Sequence, residues 1–157
     1  MKKIIITLSA VLLGFGAFAQ SELTGKWIFQ GQESISGKLY SNGSPKAVKI
    51  SASGGALTFE KVTAGNGSDV TTTETVSIDK PFETVTASKR KKTITLKKDG
   101  TAYIEYMTLF SPGDATKIDH KQTDTWSIEN GQLLLDRKDE NMLNGETWEL
   151  KATYSKQ

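Results

Sequence analysis

Alternation of apolar and polar residues with a period of two is the feature that most limits what this chain can fold into. Near its end, Trp148, Leu150, Ala152 and Tyr154 alternate with polar residues, so all four would share one face of an extended strand. No window shows the i, i+3, i+4, i+7 apolar spacing of an amphipathic helix. The chain is therefore predicted to be all-β.

Tight-turn signals separate the alternating runs at short intervals. Asp99-Gly100 and Asn130-Gly131 are predicted to be two-residue loops of type I′ hairpins. The runs between turn signals predict eight to ten antiparallel strands, near residues 25–37, 46–53, 56–63, 70–78, 82–88, 91–98, 101–110, 117–129, 132–137 and 145–155. Many short strands joined in this way are typical of a barrel or a sandwich.

Serine and threonine crowd residues 41–88, where apolar residues are sparse. One interpretation is a set of strands with exposed faces, since threonine has good β propensity. The other is a partly mobile insertion. We favour the strands because of that propensity.

The first nineteen residues have the order of a secretory signal peptide. Lys2 and Lys3 precede an apolar stretch over Ile4–Gly16, and the small residues of Ala17-Phe18-Ala19 suit cleavage after Ala19. A cut after Gln20 is the close alternative. An anchor helix is disfavoured because a spanning helix needs roughly 20 apolar residues. We expect residues 20–157 to form one exported domain, periplasmic or extracellular, without a membrane span.

Composition excludes several functional classes. The chain contains no cysteine and one histidine, which rules out disulfides, thiol catalysis, cysteine-ligated metals and a cysteine-linked lipid anchor. The formal charge is +2, but removal of Lys2 and Lys3 leaves 18 basic and 18 acidic residues. A neutral domain lacks the basic footprint of a nucleic-acid-binding protein, so no nucleic-acid partner is expected.

Two groups of motifs carry a family resemblance. The segment Leu23–Phe29 contains Gly25-Lys26-Trp27, and Thr125–Ile128 with its tryptophan is followed by Asn130-Gly131 and Leu133-Leu134-Leu135. In this order the motifs resemble the lipocalin-like domains of exported bacterial proteins. The resemblance covers roughly residues 23–29 and 91–154.

The resemblance implies an antiparallel up-and-down β-barrel that encloses a cup for a small apolar molecule. It also implies that Trp27 packs across the closed end and that Gly25 lets the chain enter the first strand closely. Both residues would then be structural. Arg137 and Lys151 are the candidates for a cation stacked on Trp27.

The lining of such a cup is predicted from the faces of the strands. Several strands carry large apolar residues on both faces, as Leu133-Leu134-Leu135 does. An eight-stranded barrel is just wide enough to be filled by side chains or to hold one small ligand, so a filled barrel is the alternative. The candidate lining residues are Tyr106, Phe110, Trp126, Ile128, Trp148 and Leu150.

Catalytic and metal sites are not expected. On a strand, His120 shares a face with Asp124, but one imidazole and one carboxylate make an incomplete metal site. The sequence has no Gly-x-Ser-x-Gly motif and no phosphate-binding glycine motif. We expect no enzyme activity, no cofactor and no metal.

Two functions remain open at this point. The first is a non-catalytic binder of a small apolar ligand. The second is an interaction module with a filled barrel that contacts an envelope protein or a glycan. The basic cluster Lys89-Arg90-Lys91-Lys92 would serve the second function, although lysines of this kind more often protect a solvated strand edge.

Overall fold

The computed structural model describes residues 22–157, so the predicted signal peptide lies outside the described residues. The strands are β1 (Gly25–Ser36), β2 (Ala47–Ser53), β3 (Ala56–Ala64), β4 (Asp69–Ser77), β5 (Pro81–Val85), β6 (Lys91–Asp99), β7 (Ala102–Ser111), β8 (Asp114–Glu129), β9 (Gln132–Asn141) and β10 (Thr147–Lys156). Within this range there is no helix, and hence none with the length and apolar character to cross a membrane. The all-β prediction is confirmed.

Each strand except β4 pairs antiparallel with the next, and β10 returns to pair with β1. The order across the sheet is β4-β3-β2-β1-β10-β9-β8-β7-β6-β5, which confirms the predicted up-and-down antiparallel barrel. The barrel is nearly closed, with a seam between β4 and β5. A parallel bridge joins Ile78 to Leu96 on one part of this seam, and Lys92 Nζ lies 2.5 Å from Glu74 Oε1 on another.

The two predicted hairpin loops differ in outcome. Asn130 and Gly131 have φ values of 51° and 76° between the paired residues Glu129 and Gln132, as expected for a type I′ turn. Asp99 instead pairs with Ala102, so this loop is Gly100-Thr101, one residue later than predicted. Gly100 has a φ of 57°, and glycine at the first loop position is what a type II′ turn requires.

The serine- and threonine-rich region forms strands, as favoured above. Residues 41–88 contain β2, β3, β4 and β5. The three consecutive threonines Thr71, Thr72 and Thr73 are exposed. Val48, Ile50, Leu57, Phe59 and Val76 of this region all reach the core.

Aromatic side chains fill one end of the barrel. Trp27, Phe59, Trp126 and Tyr154 are among the largest fully buried residues. The ring centroids of Phe59 and Trp126 lie 5.8 Å apart, and those of Trp126 and Tyr154 lie 6.3 Å apart. Rings at such separations add to the stability that burial of apolar area provides.

Trp27 stands where the chain enters this core. Its Nε1 donates a hydrogen bond to Leu23 O at 2.8 Å, and Lys156 Nζ lies 5.3 Å from its ring centroid. The stacked cation is therefore Lys156, and neither Arg137 nor Lys151 has this position. Gly25 has a φ of 151°, and a Cβ there would lie 2.8 Å from Lys156 Cε. Lys156 Cε is the far end of a flexible side chain, so the positive φ, which side-chain-bearing residues rarely adopt, is what favours glycine at this position.

Candidate functional site

An open cavity of about 400 Å³ lies at the other end of the barrel. The turns of an up-and-down barrel alternate between its two ends, and this end carries the β1–β2 and β9–β10 connections. We call the cavity the cup. Its lining residues are Tyr40, Asn42, Gly43, His120, Gln122, Arg137, Asp139, Asn141, Glu146 and Trp148.

The β1–β2 connection separates the cup from the core. Gly43, Ser44 and Pro45 are buried, although they belong to no strand. Ser44 Oγ donates to Gln32 Oε1 at 2.7 Å, and Gln32 Nε2 donates to Tyr40 O at 2.7 Å. These bonds tie the connection to β1, so it forms a floor under the cup.

Arg137 of β9 and Asp124 of β8 form a buried ion pair at the edge of this floor. Arg137 Nε and Nη2 donate to the two carboxylate oxygens of Asp124 at 2.7 and 2.6 Å. Arg137 Nη1 donates to Gly43 O at 2.6 Å. Although burial disfavours the charge, Asp124 raises the pKa of Arg137 above its ordinary value. The guanidinium therefore stays protonated, and its charge is compensated by Asp124.

Two aromatic rings form one side of the cup. The ring centroids of Tyr40 and Trp148 lie 5.4 Å apart with an interplanar angle of 54°. Tyr40 Oη donates to Glu146 Oε1 at 2.8 Å, which raises the pKa of the Tyr40 hydroxyl. This bond also links the β1–β2 connection to the β9–β10 turn, so the two segments bordering the cup support each other.

His120 and Asp139 face each other on neighbouring strands in the cup wall. His120 Nδ1 lies 3.5 Å from Asp139 Oδ1. Burial raises the pKa of Asp139 above its ordinary value, while His120 opposes that shift. Within residues 22–157, no group of three or more His, Cys, Asp or Glu side chains is arranged to hold a metal ion.

Large apolar side chains are exposed around the mouth of the cup. Ile35 and Leu39 lie at the end of β1 and just after it, and Met142 and Leu143 lie in the β9–β10 turn; each is at least 44% exposed. These four residues, which we call the apolar rim, belong to the two segments that border the cup. Exposed apolar residues on the segments that border a cavity suit contact with an apolar molecule.

The six residues predicted to line a cavity are divided among three environments. Trp126 and Leu150 are fully buried in the core, and Ile128 packs against it. Trp148 lines the cup. Tyr106 is 43% exposed, on the opposite face of β7 from buried Tyr103 and Glu105, so it lies outside the barrel.

Phe110 also differs from its predicted placement. Its ring centroid lies 5.5 Å from Lys91 Nζ, and this ammonium pairs with the exposed Glu83 at 2.9 Å. Both contacts belong to the outer surface. The pattern of β7 did not decide between its faces because large apolar residues occur on both.

Sequence reasoning missed Tyr40, Arg137 and Asp139 as cup residues. A signal for two of them is present, because Arg137 and Asp139 continue the phase of the buried Leu133 and Leu135 on β9. A charged residue in phase with inward-facing leucines indicates a polar group inside the barrel. Tyr40 lies in an irregular connection, where no periodicity applies.

The basic cluster is largely used in ion pairs. Arg90 pairs with Asp119, Lys91 with Glu83 and Lys92 with Glu74. The strand that carries Lys91 and Lys92 is not a sheet edge, since β6 pairs with both β5 and β7. The interpretation of the cluster as a solvated edge is therefore wrong.

Comparison with known proteins identifies the fold. No protein-family model and no curated protein matches the chain. Among solved structures, the chain is similar to the REP1-NXSQ fatty acid transporter, with 18% identity, a TM-score of 0.59, and coverage of 87% of this chain and 96% of that one. Apo lipid binding protein 8 of Caenorhabditis elegans matches with 16% identity, a TM-score of 0.61 and the same coverages.

A third similar structure is the zebrafish ileal bile acid-binding protein complexed with cholic acid. It has 19% identity and a TM-score of 0.55, and the match covers 87% of this chain and all of that one. At such identities the likeness concerns the fold. The chain therefore has a lipocalin-like antiparallel barrel fold, which it shares with these three proteins.

Proposed function

We propose that this protein binds a small, mainly apolar organic molecule in the cup. The observation that carries the proposal is a cavity of about 400 Å³ with the aromatic rings of Tyr40 and Trp148 on its wall. The volume lies within the range of ligand pockets, which combine apolar surface with a few polar groups that orient the ligand. The names of the three similar structures, which bind or transport fatty acids, lipids or bile acids, support the same class of function.

The two ends of the barrel would then have separate tasks. The aromatic core near Trp27 gives a stable wall, and the ligand does not need to enter it. A ligand in the cup would place its polar end among the polar side chains of the wall and its apolar part towards the apolar rim. Export and the absence of catalysis stay predictions from the sequence.

A fluorescent probe tests the proposal directly. N-phenyl-1-naphthylamine, an uncharged apolar dye, should gain emission when it is titrated with the protein. Tyr40→Ala removes one ring of the cup and should weaken dye binding at least about twofold, because a ring contact is worth roughly 0.5–1.5 kcal/mol.

Tyr106→Ala is the matched control, since it removes the same side chain from the outer face. Its dye affinity should equal that of the unchanged protein. No gain in dye emission, or an equal loss of affinity in both variants, would contradict binding in the cup.

A further inference from the structure

The charges in the cup wall do not suit a carboxylate ligand. Arg137 is the arginine of the lining, and its guanidinium already makes two hydrogen bonds to Asp124 and one to Gly43 O. Asp124 is fully buried, so the pair contributes little net charge to the cavity. An incoming carboxylate would have to displace a bidentate partner from an arginine that is itself enclosed, which is costly for a buried ion pair.

The remaining acidic groups leave the cup negative. Asp139 and Glu146 both line it. His120 can offset Asp139 if it is protonated, since the two atoms Nδ1 and Oδ1 are 3.5 Å apart. Glu146 remains, and its partner within the cup is the uncharged hydroxyl of Tyr40. Glu146 is thus in none of the ion pairs formed by residues 22–157, whichever the state of His120, and Lys38, whose Nζ approaches the Tyr40 ring, is the further cation on this side of the cup.

The aromatic wall also favours a positively charged ligand. Ring faces carry partial negative charge and attract ammonium groups. The chain shows this attraction at the site itself, because Lys38 Nζ lies 5.0 Å from the ring centroid of Tyr40. Tyr40 also holds Glu146 through its hydroxyl, so a ring and a carboxylate are presented together.

We propose that the ligand of the cup is an organic cation, an amphipathic amine whose ammonium group lies between the carboxylates of Asp139 and Glu146 and the rings of Tyr40 and Trp148. This inference rests on the proposed binding function and names its ligand class. It separates this chain from the fatty-acid and bile-acid binders with which it shares a fold, whose named ligands are acids.

The environment of Asp139 agrees with this assignment. Burial raises its pKa, and the groups that face it are His120, Arg137 and Asp124. A carboxylate that has lost hydration gains more from a cationic partner than an exposed one does. Amine binding should therefore weaken as the solution is acidified and Asp139 becomes protonated.

Three ligands with the same tail and different head groups test the charge preference. Octylamine, octanol and octanoate are titrated into the full chain near neutral pH, and binding is followed by calorimetry. We expect octylamine to bind about fivefold more tightly than octanol, which is the upper end of what one exposed ion contact gives, and octanoate to bind most weakly.

The outcomes separate this inference from the proposed function. Tightest binding of octanoate, or equal binding of all three ligands, would overturn the charge preference and leave the cup a binding site. Failure of all three to bind, together with failure of the dye, would contradict the proposed function itself.

Two variants locate the preference in the cup. Glu146→Gln and Asp139→Asn should each reduce the octylamine-to-octanol affinity ratio by about threefold; taking the ratio to octanol corrects for any general loss of binding in the altered cup. Glu140→Gln is the control, because Glu140 pairs with Lys138 on the outer face. Glu146 is exposed, so its replacement does not threaten folding. An unchanged ratio in both cup variants would overturn the assignment.

Discussion

At the scale of single residues, the clearest feature is that charged side chains lie inside the barrel as ion pairs. Arg137 and Asp124 form one such pair. A second joins Lys61 of β3 to Glu105 of β7, with Lys61 Nζ 2.8 Å from both carboxylate oxygens. Lys61 Nζ also lies 5.6 Å from the ring centroid of Trp126. Because β3 and β7 are not neighbours in the sheet, this pair spans the barrel interior and links its opposite walls.

When one partner of such a buried pair is removed, the other charge stays buried without a counter-charge. Asp124→Asn should lower the free energy of unfolding by about 3–5 kcal/mol, because it leaves the buried Arg137 charge without a counter-charge. Urea denaturation followed by tryptophan fluorescence measures this loss.

Asp69→Asn is the matched control, since it breaks the exposed Lys46–Asp69 ion pair, whose side chains are 55% and 49% exposed. Solvent screening limits the value of such a pair to about 1 kcal/mol or less. Similar losses in the two variants would contradict the role assigned to burial of the Arg137–Asp124 pair.

Among the elements, the β8–β9 hairpin is the best defined by its sequence. It joins two long strands that carry Trp126, Leu133 and Leu135 into the core. Its turn needs positive φ at both loop residues, and Asn130 and Gly131 supply them at 51° and 76°. A residue that strains this turn therefore disturbs the placement of both strands.

Alanine substitutions at two glycines test the effect of backbone strain at sites where the added methyl group has room. A Cβ added at Gly131 or at Gly31 of β1 would meet no atom within 4 Å. Gly131→Ala should lower the unfolding free energy by about 1–2 kcal/mol, since an L-residue resists the left-handed conformation. Gly31→Ala should leave it unchanged or raise it by up to about 1 kcal/mol, because glycine is unfavourable within a strand. Thermal unfolding by circular dichroism measures both, and a destabilised Gly31→Ala would contradict this explanation.

The whole molecule is a nearly closed barrel whose weakest line is the seam between β4 and β5. Each of these strands has one neighbour in the sheet order, whereas β8, β9 and β10 each have two. Two of the contacts described above span the seam: the Ile78–Leu96 bridge and the Lys92–Glu74 ion pair. Local opening should therefore begin there.

Native-state hydrogen exchange measured by NMR checks this expectation. Amides of β4 that bond to β3 should exchange at least about tenfold faster than the bonded amides of β9, because strands with fewer partners open at a lower free energy. β9 is a fair reference, with 10 residues against 9 in β4. Equal protection of both strands would show that the seam does not limit the stability of the barrel.

Sequence alone determined the elements of this protein. Alternation of period two is a local property, so it located all ten strands and placed Trp148, Leu150, Ala152 and Tyr154 on one face. The Asn130-Gly131 turn was equally predictable because its backbone angles depend on two residues. The loop after Lys98 lies one residue later than predicted. The pairing between β6 and β7 decides whether Gly100 is the first or the second loop residue, and the sequence does not show that pairing.

Only the tertiary structure decided the site. Tyr106 and Phe110 lie outside because pairing with neighbouring strands chose the inner face of a strand that is apolar on both sides. Arg137, Asp124, Tyr40 and Glu146 come together from two strands and two connections, at separations of up to 106 residues. Periodicity carries no information about such distances. Closure of the barrel through the pairing of β1 with β10 is what brings the aromatic, acidic and apolar groups to one mouth.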